Sequence, residues 1–223
     1  VLAQAAKISE SLPEPETERA FKYMNEVHTL EDEWTRRAEV LPPRARYWVI
    51  VSRFTRARRS LEFGTGCGIN VMHAAVTAPE IEWVGVDISA AQIHANIEQA
   101  ERTGIANAKF AVPDQAGQAD VVGVLDVLEH TAYPHELLDS AERCLTPDGV
   151  MVVAVPNGPW AVHAQKPVPL GGGVSDHIAV QSVGTLMQLL GERGTVIDAQ
   201  IYSGIPPEGN SNVCVAYRPR TTT

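Results

Sequence analysis

The segment Leu61-Glu62-Phe63-Gly64-Thr65-Gly66-Cys67-Gly68 narrows the fold more than any other part of the chain. An apolar strand ends in an acid, and glycines then recur at alternate positions, so the backbone can turn sharply and approach a ligand closely. Val71-Met72-His73-Ala74-Ala75-Val76 follows as a helix. A glycine-rich turn from strand to helix is where an open α/β sheet holds its cofactor. The spacing departs from the dinucleotide fingerprint, which needs a glycine where Ile69 stands, and no Gly-Lys-Ser/Thr follows as a phosphate loop requires. Glu62 aims an acid at the pocket in place of a bare helix terminus, so a cationic ligand suits the loop better than a pyrophosphate.

Further segments fall in order behind this loop. Glu82-Trp83-Val84-Gly85-Val86-Asp87-Ile88-Ser89 reads as a second strand ending in Asp87, about 20 residues on, where a carboxylate reaches ribose hydroxyls. Asp114 closes a third strand carried by Lys109-Phe110-Ala111-Val112. Ala119 to His130 is a buried strand running into the polar end Asp126-Val127-Leu128-Glu129-His130. After a helix comes Leu145 to Asn157, with a Pro147-Asp148-Gly149 turn near its start and Val155-Pro156-Asn157 at its end. Val183 to Arg193 then predicts a helix, with strands at Val196 to Tyr202 and Asn212 to Tyr217.

With these motifs in order, the chain resembles the class I S-adenosylmethionine-dependent methyltransferases. It looks most like the branch that includes ubiquinone-biosynthesis and natural-product or sugar O-methyltransferases, through Asp126-Val127-Leu128-Glu129-His130, the Pro-Asp-Gly turn and the Val-Pro-Asn strand end. The resemblance covers roughly residues 58 to 200. It implies a Rossmann-like, doubly wound α/β sheet of seven strands, mostly parallel, with a C-terminal antiparallel hairpin. Glu62, Gly64, Thr65 and Gly66 would line the methionine end of S-adenosylmethionine, Asp87 would bind the ribose, and Ile88 and Asp114 would bound the adenine. Asp126 would sit beside the cofactor's amino group. One departure concerns Gln115-Ala116-Gly117-Gln118-Ala119, shorter than the loop and helix usual in the family, which leaves the adenine side open.

Outside that core, residues 1–57 are expected as an N-terminal helical extension packed on a methyltransferase domain at 58–223. Phe21, Met24, Val27, Leu30 and Trp34 recur at helical spacing, a stripe read first as packing, with Tyr23, Met24, His28 and Trp34 as alternative pocket residues. Pro42-Pro43 breaks the chain before a second helix over Arg44 to Thr55. Arg53, Arg56, Arg58 and Arg59 are read as closing that helix, where cations offset its dipole. The Pro- and Gly-rich stretch at about 156–180 leaves the carboxyl end of a strand without periodicity and reads as a substrate lid.

Composition bounds the partners. A net charge of −9 argues against a large polyanion such as duplex nucleic acid, which needs a basic face. Cys67, Cys144 and Cys214 follow no metal spacing and suit reduced thiols in a cytoplasm. No apolar run is long enough to span a bilayer. The first residue is Val1, so the chain reads either as a trimmed protein or as a module of a longer one.

The chemistry follows from the cofactor. Methyl transfer from a sulfonium is an in-line displacement with a neutral leaving group, S-adenosylhomocysteine, so the protein mainly aligns donor and acceptor and excludes water. A hydroxyl of a small molecule or glycan must also lose a proton, and His130 is the first choice for that base, with His177 beside Asp176 the second and His163 behind it. Asp126, Glu129, His130 and His177 also resemble the ligand pattern of metal-dependent small-RNA 3′-end methyltransferases. A divalent ion there would assist transfer to a vicinal diol or catechol. A non-catalytic binding module could share this sheet, but the intact acids Glu62 and Asp87 argue against one. Aminopropyl transfer and Asn-Pro-Pro-Tyr-type amine methylation are disfavoured by the residues at 126–130.

Overall fold

A computed structural model describes residues 43–157, 182–203 and 211–220. The expectations for Tyr23, Met24, His28 and Trp34, for His163, Asp176 and His177, and for most of the lid lie outside these residues. The described chain runs α1 (Pro43–Phe54), β1 (Arg59–Phe63), α2 (Ile69–Thr77), β2 (Glu82–Val86), α3 (Ala90–Thr103), β3 (Ala108–Ala111), β4 (Ala119–Leu125), α4 (Pro134–Glu142), β5 (Leu145–Asn157), α5 (Val183–Arg193), β6 (Gly194–Ser203) and β7 (Ser211–Pro219). Short 3-10 turns cover Pro113–Gln115 and Leu128–His130.

The strands form one seven-stranded sheet in the order β3-β2-β1-β4-β5-β7-β6. β1 to β5 pair in parallel, and β7 runs antiparallel to both β5 and β6. Period-two side chains explain why both faces are covered. Along β5, Val150, Val152 and Ala154 enter one apolar cluster with Trp48 of α1, Met72 of α2 and Ile93 of α3. Met151, Val153 and Val155 enter another, with Leu138 of α4 and Leu186 and Leu190 of α5. Trp48 meets Trp83 edge to face, ring centroids 4.6 Å apart, and thereby fastens α1 to the sheet. Pro156 is tolerated in β5 because β4 has already ended, its last register pair being Leu125 with Ala154.

Two helix starts follow from capping. Ser89 accepts a hydrogen bond from the Gln92 amide at the head of α3, and Ser182 forms a reciprocal box with Thr185 at the head of α5. The arginine cluster departs from expectation. Only Arg53 stands in the last turn of α1, where it bonds Glu80 and the Thr77 carbonyl. Arg56 adopts φ 56°, which reverses the chain, and Arg59 already belongs to β1 and bonds Glu82.

Strand order reverses between β1 and β4, which continue to opposite sides of the sheet. The crevice at their carboxyl ends is where an open parallel sheet offers a ligand site.

Candidate active site

Glu62 is the second-last residue of β1, and its side chain is almost wholly buried. Thr65 Oγ1 donates to its Oε2 at 2.8 Å and Asn70 Nδ2 to its Oε1 at 2.6 Å. Burial pushes the Glu62 carboxyl up to about 7, against the pull of Asn70, Thr65 and the Arg44 cation, with Asp126 adding to the rise. A carboxylate held this way gains from any cation that enters beside it.

The glycine loop is fixed at both ends and open between them. The amides of Gly64 and Thr65 both donate to the Val86 carbonyl at the end of β2. At Gly68, φ is 71° and a Cβ would sit 2.7 Å from the Phe110 ring, so only glycine fits where the loop enters α2. At Gly66, φ is 50° and a Cβ would meet nothing within 4 Å. The peptide there is nevertheless held on both sides, with Gly66 N donating to Asp87 Oδ2 at 2.9 Å and Asn96 Nδ2 donating to Gly66 O at 2.8 Å. A rigid turn facing open space is a surface prepared for a ligand.

Asp87 follows β2. Its Oδ1 accepts from the Ser89 amide at 2.9 Å. Burial raises its pKa, while the backbone amides of Ser89, Gly66 and Ile88 oppose the rise. Each oxygen keeps a further lone pair for a hydroxyl donor. Beside it Ile88 is a large apolar side chain left exposed, and Asp114 is exposed on the turn after β3. Each stands just past the carboxyl end of the strand it follows, and the short 115–119 connection leads on to β4.

The residues after β4 lie at the same carboxyl edge of the sheet as the glycine turn. Asp126 adopts φ 54°, a left-handed conformation uncommon outside glycine, asparagine and aspartate. Arg44 Nε lies 2.9 Å from its Oδ2, and Asn212 Nδ2 donates to its Oδ1 at 2.8 Å. Glu129 is buried in the following turn, while His130 is exposed, its Nε2 3.9 Å from Glu129 Oε1. Among the described residues, no three histidine, cysteine, aspartate or glutamate side chains gather as a metal-binding group. Asp126 pairs with Arg44 and Asn212.

Sequence reasoning missed Arg44, Asn70, Asn96 and Asn212. Arg44 carried one readable signal: a cation in the first turn of a helix opposes the helix dipole and implies an acid elsewhere to hold it. The asparagines carried none, because their partners are fixed only by the fold.

An open, doubly wound sheet with acids ending β1 and β2, a glycine turn between β1 and α2, and a reversed hairpin at its edge defines the class I S-adenosylmethionine-dependent methyltransferases. The sequence pattern of the methyltransferase domain family matches residues 33–200, and the chain belongs to that family. S-adenosylmethionine is the cofactor of this class. Among similar proteins is the ubiquinone biosynthesis O-methyltransferase of Psychrobacter arcticus, 29% identical over 100 residues, a stretch that covers 41% of this chain and 39% of that protein. Its namesake from a Caulobacter species is 31% identical over 98 residues, with the same coverage, so the match spans about two-fifths of these relatives' length. Among solved structures, the PH0226 protein of Pyrococcus horikoshii superposes with a TM-score of 0.59 at 19% identity, covering 92% of this chain and 99% of that one. Coclaurine N-methyltransferase, crystallised with N-methylheliamine and S-adenosylhomocysteine, gives a TM-score of 0.61 at 11% identity, covering 78% and 69%. At these identities the structural likeness establishes the fold.

Proposed function

We propose that this chain transfers a methyl group from S-adenosylmethionine to a hydroxyl of a small molecule or sugar, with His130 as the general base. The observation that carries this reading is the exposed imidazole of His130 on the turn after Asp126, at the carboxyl edge where β1 and β4 diverge. The O-methyltransferase names of the curated relatives support an oxygen acceptor.

The bound cofactor supplies an electrophilic methyl on sulfur. The Glu62 and Asp126 carboxylates offer negative charge to its ammonium group, and Arg44 offers a cation to its carboxylate. The loop at Gly66 leaves room for the chain joining amino acid to nucleoside, and Asp87 receives the ribose hydroxyls. His130 accepts the acceptor's proton at an imidazole nitrogen as the oxygen becomes nucleophilic. Alignment and exclusion of water supply the rest. Direct proton abstraction is preferred to metal assistance because Asn212 engages Asp126 Oδ1, and Oδ2 is taken by Arg44 or, with the cofactor bound, by its ammonium group.

The test is turnover with a panel of catechol, phenol and sugar acceptors, followed by mass shift. His130→Ala is expected to lower kcat about 100- to 10,000-fold with little change in cofactor affinity. Near-normal turnover in that variant would move the base elsewhere, with His177 the next candidate.

A further inference from the structure

We infer that Asn212 is a positioning residue for the amino-acid end of the cofactor, acting through Asp126. The inference rests on the cofactor reading above and adds a role for the C-terminal hairpin.

Asp126 holds a left-handed backbone, which aspartate tolerates better than most residues, and surrounding groups fix it there. Three contacts do so. Its amide donates to the Ala154 carbonyl at 2.9 Å, Arg44 lies against Oδ2, and Asn212 holds Oδ1. Asn212 stands in β7 opposite Pro156, so its side chain crosses the end of β5 to reach the turn after β4. A fold staple could be placed anywhere along β7. This one meets a carboxylate in the cofactor crevice.

The Arg44–Asp126 pair is neutral as a unit, and so is an amino-acid end bearing one ammonium and one carboxylate. Exchange of one pairing for the other therefore leaves the net charge of the crevice unchanged. Arg44 then turns from Asp126 Oδ2 to the incoming carboxylate, and Oδ2 becomes the acceptor for the ammonium. During that exchange Asn212 is the side-chain tether left on Asp126 among the described residues. It keeps Oδ1 in place and the freed Oδ2 aimed into the crevice. Arg44 can leave because Asn212 stays.

The experiment compares two probes by isothermal titration calorimetry of the whole chain. S-adenosylhomocysteine carries the amino-acid end, and 5′-methylthioadenosine lacks it while keeping the nucleoside. Asn212→Leu removes the donor at similar size. Its expected effect is a loss of about 10-fold or more in affinity for S-adenosylhomocysteine, the worth of one hydrogen bond to a charged group, with 5′-methylthioadenosine changed less than about twofold. In an Asp126→Ala background, Asn212→Leu is expected to add almost nothing. Asn212→Ser, whose hydroxyl is too short to cross β5, repeats the measurement should the leucine variant fold poorly. Equal affinity of wild type and variant for S-adenosylhomocysteine would overturn the inference, as would additive losses with Asp126→Ala. A proportional loss for both probes would also overturn it, marking Asn212 as a plain fold staple. Failure of the wild-type chain to bind either probe would instead remove the cofactor reading beneath it.

Discussion

Glu62→Gln should stabilise the ligand-free protein at pH 8 and leave it almost unchanged at pH 4. The Glu62 carboxyl is raised from 4.5 to about 7, chiefly because burial disfavours its charge. Below pH 4.5 the group is protonated in folded and unfolded chains alike, and it adds no pH dependence. As pH rises from there, the unfolded chain ionises first while the folded chain keeps its proton. Stability conferred by the protonated form is therefore lost progressively up to about pH 7 and stays lost above it. At about 1.4 kcal/mol for each tenfold change in proton affinity, the whole loss is about 3 kcal/mol. For a chain of this size that corresponds to roughly 6 to 12 °C in melting temperature.

Glutamine fits the site for a specific reason. Its Oε1 can accept from Thr65 as the carboxylate does, and its Nε2 needs an acceptor. Asn70 Oδ1 is buried without a hydrogen-bond partner, so turning the Asn70 amide over would supply one. The assay is thermal unfolding of wild type and Glu62→Gln from pH 4 to pH 8 without cofactor. Only the difference between the two curves matters, since it cancels every other titrating group. A constant offset across that range would refute the argument, as would a wild type that gains on the mutant as pH rises. The same substitution should weaken S-adenosylmethionine binding at pH 8, because the mutant has lost the buried charge that favours a cation.

Three further outcomes can be checked directly. Gly68→Ala and Gly66→Ala should separate fold from binding: the first drives a Cβ against Phe110 and should cost about 2 kcal/mol in urea unfolding, whereas the second meets open space, costs about 1 to 2 kcal/mol for its left-handed backbone, and should mainly abolish cofactor affinity. Asp87→Ala should weaken S-adenosylhomocysteine by about 1.5 to 3 kcal/mol for each hydrogen bond lost, and it should also loosen the Gly66 amide; unchanged calorimetric affinity would remove Asp87 from the site. Turnover should persist in excess chelator, and its loss, with recovery on adding magnesium, manganese or cobalt, would favour the metal-assisted reading over His130 as a lone base.

What the sequence displayed was whatever could be written within a few consecutive residues. Glu62 and its glycines needed only local spacing to predict the turn from strand to helix, and the place of Asp87 after the next strand was equally local. The bounds predicted for Val183–Arg193 agree with the structure, where Ser182 and Thr185 cap the helix from within the same segment. The arginines after Phe54 were misread because no glycine or proline marked the helix end, and a non-glycine residue, Arg56, made the reversal.

Asp126 shows where local reading stops. The family resemblance names it as a cofactor or metal residue, but its conformation and partners depend on Arg44 and on Asn212, the latter 86 residues away. A carboxylate described only by its neighbours could serve a metal, a base or an ammonium equally well. Two remote side chains set its surroundings by occupying its oxygens, and they can do so only after α1 and β7 have packed against the same edge of the sheet. The glycine turn is therefore legible from local spacing alone, while the distant partners of Asp126 set how its charge is presented. Substitutions at Arg44 and Asn212 should accordingly change cofactor recognition although neither residue belongs to a recognisable motif.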